Sequence, residues 1–465
     1  MPLDVRSNRP PNRVFLLASD RLGGVMAGSG VRYTEFAQAL ATRFSVTLVT
    51  TNREISTNQG IRSTPYPGSR ASRIRLLDSA DVIVVQAFSS LDVPRSVLTG
   101  GRHVIVVDLY CPYWLENGIA AVARHSSSPH QHRMDIATLR DQLRIGDFFL
   151  CASTRQRDML IGLLAVVGRL TPSLLERDPT LSTLIGVVPF GMPRDPFPAT
   201  GASVHELIPG LSLLDRVVVW GGGIHDWLDV ETPIRAMELL RERHPEIKLL
   251  FATTASHPDH KTNPTAERAQ NLARAAGLLG STVLFLEGWT PYSQRANYLR
   301  GATAGIVSHA NHVETRFAFR TRVLDYLWAG IPIIISDGDE LAEVVRTNDL
   351  GIVVPPGEPA SLAEAFVQII ERVDRGEPFT ERIARVRPHY YWEKVTEALV
   401  DFCANPQKST QLGDPVLLDS IKDVMSPRRE VTRLAFRFVS AVQHEGIRAV
   451  MQKFFRTMRT SLGRL

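Results

Sequence analysis

Short apolar runs alternate with stretches of helical period over most of the chain. Arg13-Val-Phe-Leu-Leu-Ala-Ser19 is an apolar run of the kind a buried parallel strand requires. A glycine-rich loop, Gly23 to Gly30, follows it. Val31 to Phe44 then has a helical pattern and Ser45 to Thr50 predicts the next strand, which makes a βαβ unit. Further strands are predicted at Asp81–Val85, His103–Asp108, Phe148–Ala152 and Ile185–Pro189. Pro189 to Leu214 is rich in Pro and Gly, lacks a clear period and reads as a linker. A second alternation follows, with strands at Arg216–Trp220, Ile247–Phe251, Thr282–Leu286, Ala304–Ser308, Ile333–Ile335 and Gly351–Val354. The pattern predicts an α/β protein of two Rossmann-like, doubly wound domains. Such sheets bind ligands at the carboxyl ends of their strands, so the expected site is the cleft where the two domains face each other.

The domains are expected at 1–194 and 195–388, with a helix over 389–404 returning to the first domain and a basic helical tail over 405–465. Composition is ordinary for a globular protein: 44% apolar, 22% charged. No apolar run reaches the roughly 18–20 residues a membrane-spanning helix needs, and Met1 to Asn12 has no signal-peptide core. Cys111, Cys151 and Cys403 are scattered, which fits a reducing, cytoplasmic compartment. The net charge of +5 is uneven: Ser426 to Leu465 holds nine Arg or Lys and two Glu, a net +7, leaving the rest of the chain about −2. The body therefore gives no reason to invoke nucleic acid. In the tail, Ile447, Val450, Met451, Phe454, Phe455, Met458 and Leu462 share one helical face, with Arg448, Lys453, Arg456 and Arg459 elsewhere around it. That pattern suits an anionic membrane surface, and equally a helix packed on the body or on another copy.

The chemistry concentrates in Glu314-Thr-Arg-Phe-Ala-Phe-Arg-Thr-Arg-Val-Leu-Asp-Tyr-Leu-Trp-Ala-Gly-Ile-Pro332. Arg320, Thr321 and Arg322 fall at a helix start, where unbonded N–H groups and the helix dipole suit a diphosphate. Asp325, one turn on, is placed to accept hydrogen bonds from a ribose diol. Gly28 and Gly30 in the first loop, and Gly221, Gly222, Gly223 and His225 after the Arg216–Trp220 strand, let backbone approach a ligand closely. Gly288 and Trp289 offer backbone amides and a flat ring to a nucleobase, or form a plain strand-to-helix turn. Asp229 reads as a helix cap. Glu314 suits a sugar hydroxyl, or is a solvated loop carboxylate. His309, His312 and Glu314 lack the further ligand a metal site needs, so no metal is expected. Asp108 and Glu116 suit an acceptor hydroxyl or proton transfer, or serve as turn caps. The histidines at 125, 130 and 132 read as solvated, in a Ser-rich loop.

Taken together, the loop of Gly28 and Gly30, Val188-Pro-Phe-Gly-Met-Pro193, Gly288-Trp289 and Leu324-Asp-Tyr-Leu-Trp-Ala-Gly-Ile-Pro332 resemble the GT-B fold nucleotide-sugar glycosyltransferases of glycosyltransferase family 4. The resemblance spans roughly Arg13 to Phe402 and is most specific from Val217 to Pro356. Cys151-Ala-Ser-Thr-Arg-Gln-Arg157 looks like a subgroup found with bacterial polysaccharide genes. The resemblance implies a nucleoside diphosphate sugar as donor bound by the second domain, an acceptor bound by the first, no metal or other cofactor, and retention of anomeric configuration. The acceptor is then a glycan, a lipid-linked molecule or a small molecule, and the setting is surface-glycan synthesis at the inner face of the membrane.

Two departures stand out. The family carries two Glu eight residues apart; here the second corresponds to Asp325, and the first position holds Phe317, so either Glu314 takes over its role or nothing does. The family also places an Arg and a Lys after the first strand of the second domain; Gly221 to Asp229 has no cation, and Arg320 and Arg322 are the candidates to supply the charge. Such arginines and N–H groups stabilise a leaving diphosphate. The competing readings are a natural-product or pseudo-glycosyltransferase with a soluble acceptor, a non-catalytic nucleotide-sugar-binding or scaffold protein and, weakest, an NAD-dependent oxidoreductase.

Overall fold

Thirteen strands form two all-parallel sheets in the computed structural model, which describes residues 12–20, 22–23, 26–51, 61–87, 93–99, 102–124, 129–255 and 263–408. The first sheet contains β1 (Arg13–Leu17), β2 (Ser45–Thr50), β3 (Arg62–Pro65), β4 (Val82–Gln86), β5 (Val104–Asp108), β6 (Phe148–Cys151) and β7 (Ile185–Val187). Its strand order is β3-β2-β1-β4-β5-β6-β7. The second contains β8 (Arg216–Trp220), β9 (Ile247–Phe251), β10 (Val283–Phe285), β11 (Ala304–Val307), β12 (Ile333–Ser336) and β13 (Gly351–Val354), in the order β10-β9-β8-β11-β12-β13. In each sheet the order reverses beside the first strand, at β1/β4 and at β8/β11. Loops leaving the carboxyl ends of those strands diverge there and open a crevice.

Central strands such as Val82–Gln86 and Val104–Asp108 are buried along their whole length, because helices cover both faces of the sheet. β3 is an edge strand with exposed ends and has no apolar run to announce it. The helix after the glycine loop runs over Gly28–Ala41, three residues earlier than its periodicity suggests. His130 and His132 lie on a helix, Pro129–Ile145, and not in a loop; buried Leu139 and Leu143, four residues apart, anchor it to the sheet. His125 and the basic tail lie outside the described residues.

Two segments cross between the domains side by side. Met192 bonds the second segment through both backbone groups (Met192 N–H to Tyr390 O, 2.8 Å; Trp392 N–H to Met192 O, 3.2 Å). A Cβ on Gly191 would lie 2.5 Å from the Trp392 ring, so only glycine allows this approach. Beyond it, helix Glu397–Ala404 packs on the first sheet, where Phe402 stacks on Phe148 with centroids 4.1 Å apart.

Tyr326 ties the switch point of the second sheet together. Its buried hydroxyl lies 3.0 Å from Val219 O and 2.9 Å from Ile306 O, and accepts the Gly221 N–H at 2.9 Å. The ring fits because Gly305 has no Cβ; one there would sit 2.3 Å from it. Tyr326→Phe leaves three buried backbone groups without this partner and should lower unfolding stability by about 1–3 kcal/mol in a denaturant titration.

Candidate active site

The two crevices merge into a cleft of about 370 Å³, within the range of ligand sites. The first domain contributes Gly28 and Ser29 from the start of helix Gly28–Ala41, and Tyr110, Cys111, Pro112 and Glu116 from the segment after β5. The second contributes the loops after β8 and β11, Trp289 to Tyr298, and residues 318 to 325. Helices Gly28–Ala41 and Arg322–Ala329 both start at the cleft, and neither has a side-chain cap on its first N–H groups. The first amides of both helices thus lie at one volume, although in the second the Val323 and Leu324 N–H groups already bond Arg320 O and Thr321 O at 3.0 Å.

Arg322 is the strongest feature of this volume. Its Nη2 donates to Gly223 O at 2.9 Å, and its guanidinium lies 4.5 Å from the centre of the Trp220 ring. Its Nη1 is buried and has no hydrogen-bond partner among the described residues. Burial lowers its pKa to about 10, so it stays charged at neutral pH. No carboxylate among the described residues forms an ion pair with it. Side chain and loop meet where the sequence lacks a cation: Arg322 reaches back under Gly222 and Gly223. Gly222 has φ +75°, a conformation glycine adopts without strain.

The neighbouring arginines are already neutralised. Arg320, expected beside Arg322 as a diphosphate ligand, is committed elsewhere: its Nε lies 2.6 Å from Asp339 Oδ2 and its Nη1 donates to Ser336 O at 2.9 Å. Its edge still lines the cleft. Arg295, which the sequence reading passed over, pairs with Asp325 at 2.9 Å and is sandwiched between Tyr292 (3.6 Å) and Trp328 (4.2 Å). Asp325 lines the cleft with this partner already in place, and burial raises its pKa.

Two carboxyls face the same volume from opposite domains. Glu314 is 1% exposed, and its Oε2 has no hydrogen-bond partner among the described residues. His309 Nδ1 is 3.8 Å away and His312 Nδ1 3.7 Å. Burial, reinforced by Glu116, pushes the Glu314 carboxyl up to about 8; burial pushes Glu116 to about 7. Burial, with Arg320 and Arg322 nearby, holds His309 well below its ordinary pKa. At neutral pH the corner therefore presents a protonated carboxyl and a neutral imidazole, groups that hydrogen-bond hydroxyls. Among the described residues no group of three or more His, Cys, Asp or Glu is arranged to hold a metal.

Gly28, Gly222, Gly223, His225, Trp289 and Thr321 line the cleft; His225 stacks on Trp227 with centroids 4.6 Å apart. Gly30, Gly221 and Gly288 do not. Gly30 is buried in its helix, Gly221 gives its N–H to Tyr326, and Gly288 uses both backbone groups to close a turn with Thr253, Thr254 and Ala255. Asp108 is also removed from the cleft. It is 1% exposed and forms a two-pronged ion pair with Arg32, both bonds 2.9 Å, while Arg32 also donates to Val188 O and Pro189 O. The pair pins helix Gly28–Ala41 to the interdomain crossover, and Glu116 is the acidic residue this segment offers the cleft. Asp229 caps the next helix, accepting the Thr232 N–H at 3.0 Å.

Residues 215–372 match the family described as Glycosyl transferases group 1. The described residues have the GT-B fold. The chain is similar to Anabaena Alr3699/HepE, solved in complex with UDP-glucose, at 11% identity and TM-score 0.59, over 84% of this chain and 98% of that one. It is also similar to trehalose-6-phosphate synthase OtsA (15%, TM-score 0.59, 85% and 100%) and to WaaG, a glycosyltransferase involved in lipopolysaccharide biosynthesis (15%, TM-score 0.57, 84% and 100%). No curated protein matches in sequence. Within the matched region, Arg322, Thr321, Asp325, Glu314 and the Gly222–Gly223 loop come together at the β8/β11 switch point.

The raised carboxyl gives a pH signature. An unfolded Glu314 loses its proton near 4.5 and the folded one near 8, so between these values the folded state keeps a proton the unfolded state has released. Stability then falls as pH rises through that window. Glu314→Gln should melt at higher temperature than wild type at pH 8.5, with the advantage gone by pH 4, when melting curves are recorded across that range.

Proposed function

We propose that the protein transfers a sugar from a nucleoside diphosphate sugar to an acceptor hydroxyl. The carrying observation is Arg322, a partly buried guanidinium with no carboxylate partner among the described residues and an unsatisfied Nη1, set between two uncapped helix starts. Such a group calls for an anion, and the cleft surrounds it with what a nucleotide sugar needs. Trp289 and Tyr292 offer flat surfaces to a base, the Arg295–Asp325 pair faces the ribose, and Arg322 with the amides at Gly28 and Thr321 receives the diphosphate. Glu314 and His309 hydrogen-bond the sugar, so Glu314 replaces the carboxyl that Phe317 lacks.

The chemistry is leaving-group stabilisation. As the sugar–phosphate bond breaks, negative charge grows on the diphosphate, and Arg322 with preorganised N–H groups lowers the barrier. Glu116 is placed on the acceptor side to accept the hydroxyl proton. The neutral Glu314 is no nucleophile at pH 7, which favours retention by front-face attack of the acceptor. We also propose that the donor needs no metal bridge, since Arg322 supplies the charge, and that the acceptor belongs to surface-glycan synthesis, with WaaG among the structural neighbours. UDP is the first nucleoside diphosphate to test, because a structural neighbour was solved with UDP-glucose.

Arg322→Ala should weaken nucleoside diphosphate binding by about 2–4 kcal/mol in titration calorimetry, the penalty of losing a charge-assisted contact. Unchanged affinity contradicts the assignment. The tail supplies a membrane contact on this reading: removing residues 426–465 should abolish co-sedimentation with anionic liposomes, and a full-length protein that never sediments with them removes that element.

A further inference from the structure

Residues 154–156 of the first domain reach across to the second. The Thr154 N–H and hydroxyl donate to Glu340 Oε2 at 2.9 and 2.6 Å, and Arg155 donates to Gly338 O at 2.5 Å. Gln156 is fully buried, and its carboxamide is spent on three main-chain groups. Its Oε1 accepts the Ala152 N–H at 2.7 Å, and its Nε2 donates to Tyr110 O at 2.9 Å and to Phe317 O at 2.7 Å. Both amide protons and the carbonyl are thereby used.

These three partners occupy telling places. Tyr110 leads into Cys111, Pro112 and the helix Tyr113–Ala123, which carries Glu116 into the cleft. Phe317 is the last residue of the five-residue helix Val313–Phe317, which carries Glu314. Ala152 follows directly on the last residue of β6. One side-chain amide therefore joins the segment bearing the first-domain carboxyl to the helix bearing the second-domain carboxyl. A short helix has little stiffness of its own, so its position follows its anchors. On the other flank of the cleft, Arg124 lies 2.5 Å from Asp226, and this ion pair also spans the domains.

We propose that Gln156 is a positioning residue that sets the Glu314 helix against the first domain and so assembles the sugar-facing corner. Thr154 and Glu340 hold the same clasp from its solvent side. The diphosphate and nucleoside contacts of the second domain do not pass through Gln156, so it governs the reaction of the sugar and not the capture of the nucleotide. The inference rests on the nucleotide-sugar reading, and two kinds of readout separate their failures.

The test uses the full chain with Gln156→Met, which keeps length and burial but removes the amide, and Glu340→Gln, which loosens the clasp without touching the core. Amide exchange in residues 313–317 should rise roughly tenfold or more in Gln156→Met and less in Glu340→Gln, with residues 216–220 unchanged. UDP affinity should stay within about twofold, while kcat for UDP-glucose turnover falls roughly tenfold or more. Unchanged exchange at 313–317 in both variants overturns the clamp. So does full UDP-glucose turnover in a Gln156→Met protein that has merely lost melting temperature. A wild-type protein that takes neither UDP nor UDP-glucose counts against that donor in the functional reading, and the exchange result then decides the clamp by itself.

Discussion

A guanidinium held in a cleft without an ion-pair partner among the described residues is an unfinished interaction, and the rest of this structure is arranged around it. Arg322 is fixed by Gly223 O and the Trp220 ring, which orient it, and Asp325, already paired with Arg295, acts on its charge without bonding it. The other arginines at the site carry their own counter-charges, Arg295 with Asp325 and Arg320 with Asp339. Removing a charge from water costs several kcal/mol unless a partner restores the loss. An anionic ligand is the partner that gives this geometry a purpose, and the two uncapped helix starts beside it favour the same sign of charge.

Holding that arrangement open requires a rigid floor. The β8/β11 switch point provides it, because parallel strands reverse their order there and the loops part. Tyr326 fills the gap beneath, bonding backbone on both strands, and Gly305 makes room for its ring. Across the cleft the Arg32–Asp108 pair plays the same part, fastening the Gly28 helix start to the Val188–Pro193 crossover. Each buried pair therefore sits one layer behind the groups that face the ligand.

Much of this architecture is legible in the chain, for a physical reason. Strands buried on both faces write themselves as uninterrupted runs such as Val82–Val85 and Ile333–Ile335, and the sheet has few other ways to hide them. β3 escaped because an edge strand has no such need. The cleft was harder to read. Arg320 and Arg322 look equivalent in sequence, yet one turns to Asp339 and the other to Gly223; a two-residue step on a helix start decides which way a side chain points. Asp108 has the position of a catalytic carboxylate, and only Arg32, 76 residues earlier, reveals that it is spent. Gly221 and Gly288 are likewise used up in their own turns. Gln156, Tyr326 and Arg295 gave no local signal, since their partners are backbone atoms and side chains brought together by the fold. Gln156 does lie in a segment whose family likeness was noticeable, without any chemistry to explain it.

The carboxyls show the same division between pattern and environment. Glu314 was identifiable as an acid near the site, but its protonation near neutral pH follows from burial beside Glu116, which no spacing encodes. The account thus stands on one claim: an anionic nucleotide completes the cleft around Arg322. A thermal-shift panel of the wild-type protein with UDP, GDP, dTDP, ADP and NAD tests it most directly, because a ligand that binds only the folded state raises its melting temperature. The account predicts a clear rise with one nucleoside diphosphate and none with NAD. A flat response across the panel, or a rise with NAD alone, would contradict it.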